Sequence, residues 1–183
     1  MANIQNGNEL INVNVFEMAG VEDGMVVGDL GCGNIGFFAL SSAKLVGKKG
    51  IVYAVDILKS ALKAVESRAK HEGLENLKLI WSNLEIFGAT KIPENSLDVA
   101  FIHNVFFQAK NSDSIIKESQ RLMKPQSKLM IIDWLKVGAS FGPPVTERID
   151  PEEIKKYALA ENLEMVKEFV AGPYHFGLLF QKQ

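Results

Sequence analysis

Three glycines and two aspartates carry the most legible chemistry in this chain. The run VVGDLGCGNIGFF, Val26 to Phe38, places Gly31, Gly33 and Gly36 in the spacing G-x-G-x-x-G. Glycines there remove side chains where a strand bends into a helix. A ligand can then approach the backbone and meet the N–H groups of the helix start. Asp29 stands two residues ahead of the first glycine, and Asp56 ends the run IVYAVD twenty residues after Gly36. A carboxylate at the tip of a second parallel strand can accept hydrogen bonds from both hydroxyls of a ribose. Turn and carboxylate together point to a nucleoside ligand, rather than to a tight structural turn beside a surface aspartate.

Two nucleoside ligands fit that pattern, and charge separates them. NAD carries a pyrophosphate, which favours bare N–H donors with no negative side chain close by. S-adenosylmethionine carries a sulfonium and an ammonium, which a carboxylate beside the loop attracts. Asp29 supplies that carboxylate. An NAD enzyme also usually brings a separate substrate domain, for which 183 residues leave little room. The balance favours S-adenosylmethionine, with an NAD-binding oxidoreductase as the alternative.

The elements that must position these residues alternate. MVVGDL (25–30), IVYAV (51–55), LKLIW (77–81), DVAFIH (98–103) and KLMIIDW (128–134) are short apolar runs, the mark of buried parallel strands. Helical patterns lie between them. FFALSSAKLV ends at Gly47, and KSALKAVESRAKHEG sets Leu62, Val65 and Ala69 on one face and closes at Gly73. In SIIKESQRLMKP, residues Ile115, Ile116, Leu122 and Met123 form a stripe that Pro125 is expected to stop. DPEEIKKYALAEN has Asp150 as a cap, Pro151 in the first turn and Glu153 three residues on. The tail differs. LEMVKEFV and YHFGLLFQ are separated only by Ala171, Gly172 and Pro173, too short a gap for a helical crossover, so this pair should be antiparallel. The expectation is one α/β domain over residues 1–183, with right-handed crossovers, a mostly parallel sheet and an antiparallel C-terminal hairpin.

Composition sets further bounds. The chain is 47% hydrophobic and 23% charged with a formal net charge of −2, which argues against a broad nucleic-acid or anionic-membrane footprint. Its single cysteine, Cys32, allows no intrachain disulfide and fits a reducing, cytoplasmic setting. No apolar run approaches the ~20 residues that span a bilayer, and MANIQNGNEL lacks the pattern of a signal peptide. No His–carboxylate spacing argues for a metal.

From about Gly20 onward, the sequence resembles the class I S-adenosylmethionine-dependent methyltransferases. More narrowly, it resembles the small archaeal and bacterial "methyltransferase domain 11" members, relatives of the ubiquinone/menaquinone C-methyltransferases. DLGCG matches the first motif and AVDI the acidic motif of the second strand. SLDVAFIHNV, RLMKPQSKLMIIDW and GPPVTERIDPEEI match later segments. The resemblance implies a Rossmann-like seven-stranded sheet with helices on both faces and the last strand inserted antiparallel. It implies S-adenosylmethionine as cofactor, S-adenosylhomocysteine as product and a small-molecule acceptor; homo-oligomers are left open. It also implies site roles. Asp29, Gly31 and Gly33, with Cys32 between the glycines, would line the methionine moiety. Asp56 would hold the ribose with Ile57 beside the adenine. Asn83 would accept from the adenine amino group through its amide oxygen, and Leu84 would offer its backbone N–H. Backbone carbonyl oxygen around Ile102 and His103 would receive the ammonium. The chain departs from the family pattern in three places: an extra residue in GCGNIG, Asn83 in place of an aspartate, and Phe107 where a histidine often follows the fourth strand.

Methyl transfer needs a protein base only if the acceptor must lose a proton. His103 is the candidate base, set against the alternative that it merely ends its strand and lends its backbone. A structural role is expected for His175, and solvation for His71. Phe106, Phe107, Trp134 and Phe141 are read as acceptor-pocket walls or, more simply, as core. Residues 1–24 are read as a cover segment in which Leu10, Val13 and Phe16 form a lid or pack on the sheet. A non-catalytic module on the same fold is a third reading.

Overall fold

A computed structural model describes residues 14–183. Seven strands form one sheet in the order β3–β2–β1–β4–β5–β7–β6. They are β1 (Val26–Leu30), β2 (Ile51–Asp56), β3 (Leu77–Trp81), β4 (Leu97–His103), β5 (Met123–Trp134), β6 (Leu163–Gly172) and β7 (His175–Lys182). The first five run parallel. β7 inserts antiparallel between β5 and β6, so the short Ala171–Pro173 link does make a hairpin. Helix α1 (Val15–Ala19) precedes β1, and helices α2 (Phe37–Leu45), α3 (Lys59–His71), α4 (Ser112–Leu122) and α5 (Pro151–Ala160) lie between strands.

Two apolar clusters sandwich the sheet, one on each face. Val15 of α1, Ala39 and Ala43 of α2, and Leu62, Val65 and Ala69 of α3 pack on one face against Val52, Val99 and Phe101. Ile115, Ile116 and Leu122 of α4, with Ile154 and Ala158 of α5, pack on the other against Ala100, Ile102, Leu129 and Ile131. Strand residues alternate between the two clusters because successive side chains point to opposite faces. Helical stripes fill the same clusters because positions three and four apart share a face. The sequence-level stripes of α3, α4 and α5 are therefore the buried ones.

Local signals set most boundaries. Gly47 (φ +62°) and Gly73 (φ +68°) take the left-handed backbone just past α2 and α3. Asp150 Oδ1 caps α5 by accepting from Glu152 N at 3.0 Å, with Pro151 in the first turn. One boundary differs from expectation. Met123 does not extend α4 and Pro125 does not stop it; Met123 already opens β5, paired with Leu97. The stop comes from elsewhere in the chain. Lys182 Nζ reaches in from β7 and donates to Gln120 O and Met123 O at 2.9 and 2.8 Å. Asn95 N and Ser96 N take the carbonyls of Arg121 and Leu122. Carbonyls satisfied from outside need no further helical turn. Of the cover segment, Leu10 and Val13 lie outside the described residues. Phe16 packs on the sheet, with its ring 5.4 Å from Phe101 and 5.5 Å from Phe38.

The segment that follows β3 is held by one buried acid. Glu118 of α4 is fully buried. It accepts from Gly88 N at 2.8 Å and Thr90 N at 3.0 Å. Arg121 grips both of its oxygens, at 2.9 and 2.7 Å. Burial pushes the Glu118 carboxyl up, but Arg121 and the two N–H groups outweigh it and hold it at about 2. Removing one member leaves the others buried without partners. Glu118→Ala is expected to cost about 3 kcal/mol of unfolding free energy, measured by urea denaturation; a loss under about 1 kcal/mol would contradict this account.

Candidate functional site

The C-terminal tips of β1, β2, β3 and β4 meet around a cavity of about 350 Å³. It lies where the strand order reverses direction, with β1 bonded to β2 on one side and to β4 on the other. In open α/β sheets the loops leave in opposite directions at that point and open a crevice. All nine site residues expected from the sequence line it: Asp29, Gly31, Cys32, Gly33, Asp56, Ile57, Asn83, Leu84 and His103.

The glycine turn is held by backbone and carboxylate together. Gly31 N and Cys32 N both donate to Val55 O at 2.9 Å, which folds the turn over the end of β2. Gly31 has φ +97°, and a Cβ there would come within 2.3 Å of Val105 Cγ2. Glycine is thus required on two counts, conformation and the close approach of the β4 tip. Gly33 (φ +60°) faces open space, so its backbone is accessible to a ligand. The extra residue of GCGNIG is absorbed in a turn at Gly33–Ile35, and Gly36 then starts α2. Arg68 of α3 clamps this turn from outside, donating to Ile35 O at 3.2 Å and to Asn34 O. The lengthened turn edges the cavity without filling it.

Asp29 does more than the sequence suggested. Gly36 has no side chain to cap α2, and Asp29 caps it instead, its Oδ2 accepting from Ala39 N at 2.8 Å. Asp29 is buried. Burial raises its pKa, the Ala39 N–H lowers it and the Asp56 charge raises it again, with a net value of about 7. Asp56 is engaged through both oxygens, accepting from Gly33 N at 2.9 Å and Leu58 N at 2.8 Å. Burial, followed by the charges of Asp29 and Asp56, pushes the Cys32 thiol well above its usual range. Cys32 stays a neutral filler, not a nucleophile.

The far wall comes from β3 and β4. Asn83 Oδ1 turns back onto its own chain and accepts from Glu85 N at 2.9 Å, a local turn favoured by asparagine. Ile57 stands exposed at the rim while Leu84 is buried. His103 ends β4, its ring 5.0 Å from Phe38 and 5.9 Å from His175. Burial, reinforced by His175, drops the His103 pKa to about 3. The ring is therefore neutral near neutral pH. His175 opens β7, wholly buried, 4.3 Å from the Trp134 ring, and has the structural placement expected of it. His71 is exposed.

Of the two readings of the aromatic residues, the simpler one holds for Phe106 and Trp134, both buried. Phe106 is core. Trp134 and Phe141 stack on each other at 5.9 Å outside the cavity lining, so they do not wall it. The loop carrying Phe141 is stapled by Arg148, whose buried guanidinium donates to Pro143 O, Leu135 O and Val137 O. Conversely, the sequence reading missed two residues of the β4 tip and β5. Asn104 lines the cavity with φ +54°. Asp133, buried in β5, holds the tip by accepting from Val105 N at 3.1 Å and Phe106 N at 3.0 Å. A lone asparagine after a strand was the available signal for Asn104; the Asp133 contacts are long-range and left none.

A family profile for the methyltransferase domain matches residues 21–170. The chain belongs to the methyltransferase domain family. It is 32% identical over 123 residues to the ubiquinone/menaquinone biosynthesis C-methyltransferase of Hydrogenovibrio crunogenus, covering 67% of this chain and 47% of that one. The Shewanella sediminis counterpart is 33% identical over 122 residues, covering 66% and 47%. The chain thus spans about half the length of these relatives. A crystal structure of a SAM-dependent methyltransferase from Aquifex aeolicus superposes with a TM-score of 0.86 at 27% identity, covering 96% of this chain and 92% of that one. The geranyl diphosphate C-methyltransferase of Streptomyces coelicolor, crystallised with S-adenosyl-L-homocysteine, shares the fold at a TM-score of 0.73 and 11% identity, over 92% of this chain and 78% of that one. Among the described residues, no helix is long and apolar enough to cross a membrane.

The buried carboxylates give the ligand-free protein an unusual pH response. Burial raises Asp133, despite lowering by the N–H groups of Trp134, Phe106 and Val105, to about 6. Asp29 and Asp133 therefore hold protons more tightly folded than unfolded. Their contribution to stability is complete below about pH 4 and is lost as pH rises through about 6 and about 7. Asp29→Asn is expected to flatten the fall in unfolding free energy between pH 4 and pH 7, as followed by urea denaturation across a pH series. Parallel profiles for parent and variant would contradict the shift.

Proposed function

We propose that this chain is an S-adenosylmethionine-dependent methyltransferase acting on a small-molecule acceptor. The observation that carries the reading is the placement of Asp29 and Asp56 in one cavity around a glycine turn with open backbone. Two negative groups there favour a cationic nucleoside and disfavour a pyrophosphate. Asp56 holds the ribose hydroxyls with lone pairs not used by Gly33 N and Leu58 N. Ile57 and Leu84 flank the adenine with apolar surface. Asn83 Oδ1 accepts from Glu85 N and keeps a second lone pair for the adenine amino group, while its NH₂ is free to donate to a ring nitrogen. S-adenosylmethionine, when bound, supplies a methyl carbon on a sulfonium, already activated toward in-line displacement. Asp29 stabilises positive charge beside the turn, and the turn and the β4 tip fix orientation. Alignment and exclusion of water are what the site contributes. No base is assigned to His103.

Isothermal titration decides the reading. S-adenosylhomocysteine is expected to bind and NADH is not; binding of NADH alone would move the protein to the oxidoreductase class. Asp56→Ala is expected to weaken S-adenosylhomocysteine at least about ten-fold. Affinity for S-adenosylmethionine should fall as pH drops through about 7, because protonating Asp29 removes its charge. In Asp29→Asn that pH dependence should disappear.

A further inference from the structure

We propose that a lysine-lined cleft on the sheet edge opposite the cofactor cavity binds a compact, diphosphate-bearing anion. The cleft has a volume of about 560 Å³ and lies at the N-terminal ends of β2 and β3. Four lysines line it: Lys44 near the end of α2, Lys48 and Lys49 on the turn that follows, and Lys78 in β3. β2 starts at this cleft with Ile51 and reaches the other cavity with Asp56. At about 3.3 Å per residue, those two ends lie roughly 17 Å apart. The two sites are therefore distinct.

Lysines at helix C-termini ordinarily serve the open carbonyls there. Here other groups meet those carbonyls. Asn76 Nδ2 donates to Ala43 O and Gly47 O, both at 2.8 Å, and Gly24 N donates to Val46 O at 2.8 Å. Past α3, the N–H groups of Glu72, Leu74 and Gly73 donate to the carbonyls of Arg68, Ala69 and Lys70. Nearby acids do not cancel the charge either. Glu72 is engaged with Lys44 at 2.7 Å. Asp23 Oδ1 fills the space that a Cβ on Gly47 would take and stands outside the lining. Glu75 is the one acid in the lining. Among the described residues, Lys48, Lys49 and Lys78 have no carboxylate partner.

Like charges gathered round one cleft repel each other, and an anion that enters relieves the repulsion. Two of the four lysines are already positioned, Lys44 by Glu72 and Lys78 by the Tyr53 ring, whose centroid lies 5.5 Å from Nζ. The lining also selects the kind of anion. Ammonium groups bind phosphate as point charges, without the planar geometry that arginine imposes. Ala43, Ile51 and Leu74 form apolar wall between the lysines, and no aromatic ring lines the cleft as a platform for a base. A nucleic-acid strand is held by such platforms and by a longer basic track. A short run of phosphates needs only convergent ammonium groups, which are what the cleft presents.

The test is titration calorimetry of the full chain with pyrophosphate, methyl diphosphate and sulfate, in metal-free buffer. The parent is expected to bind pyrophosphate saturably and more tightly than sulfate. Lys48 and Lys49 are exposed, so the double variant Lys48→Ala/Lys49→Ala keeps the fold, as a melting curve would show. It is expected to bind pyrophosphate at least about ten-fold more weakly. Lys136→Ala/Lys156→Ala removes the same charge from exposed positions outside the cleft and is expected to stay within about two-fold of the parent. Methyl diphosphate binding as tightly as pyrophosphate would identify the diphosphate end of a larger molecule as the ligand; preference for pyrophosphate would identify the free anion. No saturable binding by the parent would overturn the proposal. So would equal binding of sulfate, or equal weakening in the two double variants, since either means an adventitious ion only.

Discussion

Carboxylates at the ends of strands hold the rim of this site together. In a parallel sheet every C-terminal tip lies on one edge, and every loop that leaves it carries N–H groups needing partners. Asp29 near the end of β1 holds Ala39 N, Asp56 at the end of β2 holds Gly33 N and Leu58 N, and Asp133 near the end of β5 holds Val105 N and Phe106 N. Three acids thus fix the glycine turn, the start of α2, the loop into α3 and the β4 tip. The arrangement is bought with desolvation, which raises Asp29 and Asp133 toward neutrality. A cationic ligand beside such acids would relieve part of that cost.

Much of this was legible from local pattern. Strands β1 to β4 and helices α3 to α5 followed from apolar runs and stripes, because burial on one or two faces dictates their periods. The C-terminal hairpin followed from a gap too short to cross over. The cavity lining was legible for a related reason. In this fold the residues just past strands β1 to β4 are contiguous in sequence with the strands themselves, so finding a strand finds its tip. What escaped depended on distant partners. α4 ends at Leu122 with Gln120 O taken by Lys182, far along the chain, and the carbonyls of Arg121 and Leu122 by Asn95 N and Ser96 N, and no local rule contains that. The weak basicity of His103 comes from burial and from His175, two strands away in the sheet. Asn83 lines the cavity, but the orientation of its amide depended on Glu85 N. Residue type was visible; the direction a polar group faces was not.

The strand order has a consequence for how the molecule comes together. β1, β2 and β3 pair with near neighbours in the chain, as do β6 and β7, whereas β1 meets β4 across a separation of seventy-two residues, Val27 to Val99. Contacts of that span close slowly because so much chain must be ordered first. The crevice lies on this seam, with its walls drawn from both halves. Whatever occupies it stitches the halves to each other, so tight occupancy would also act as a brake on unfolding.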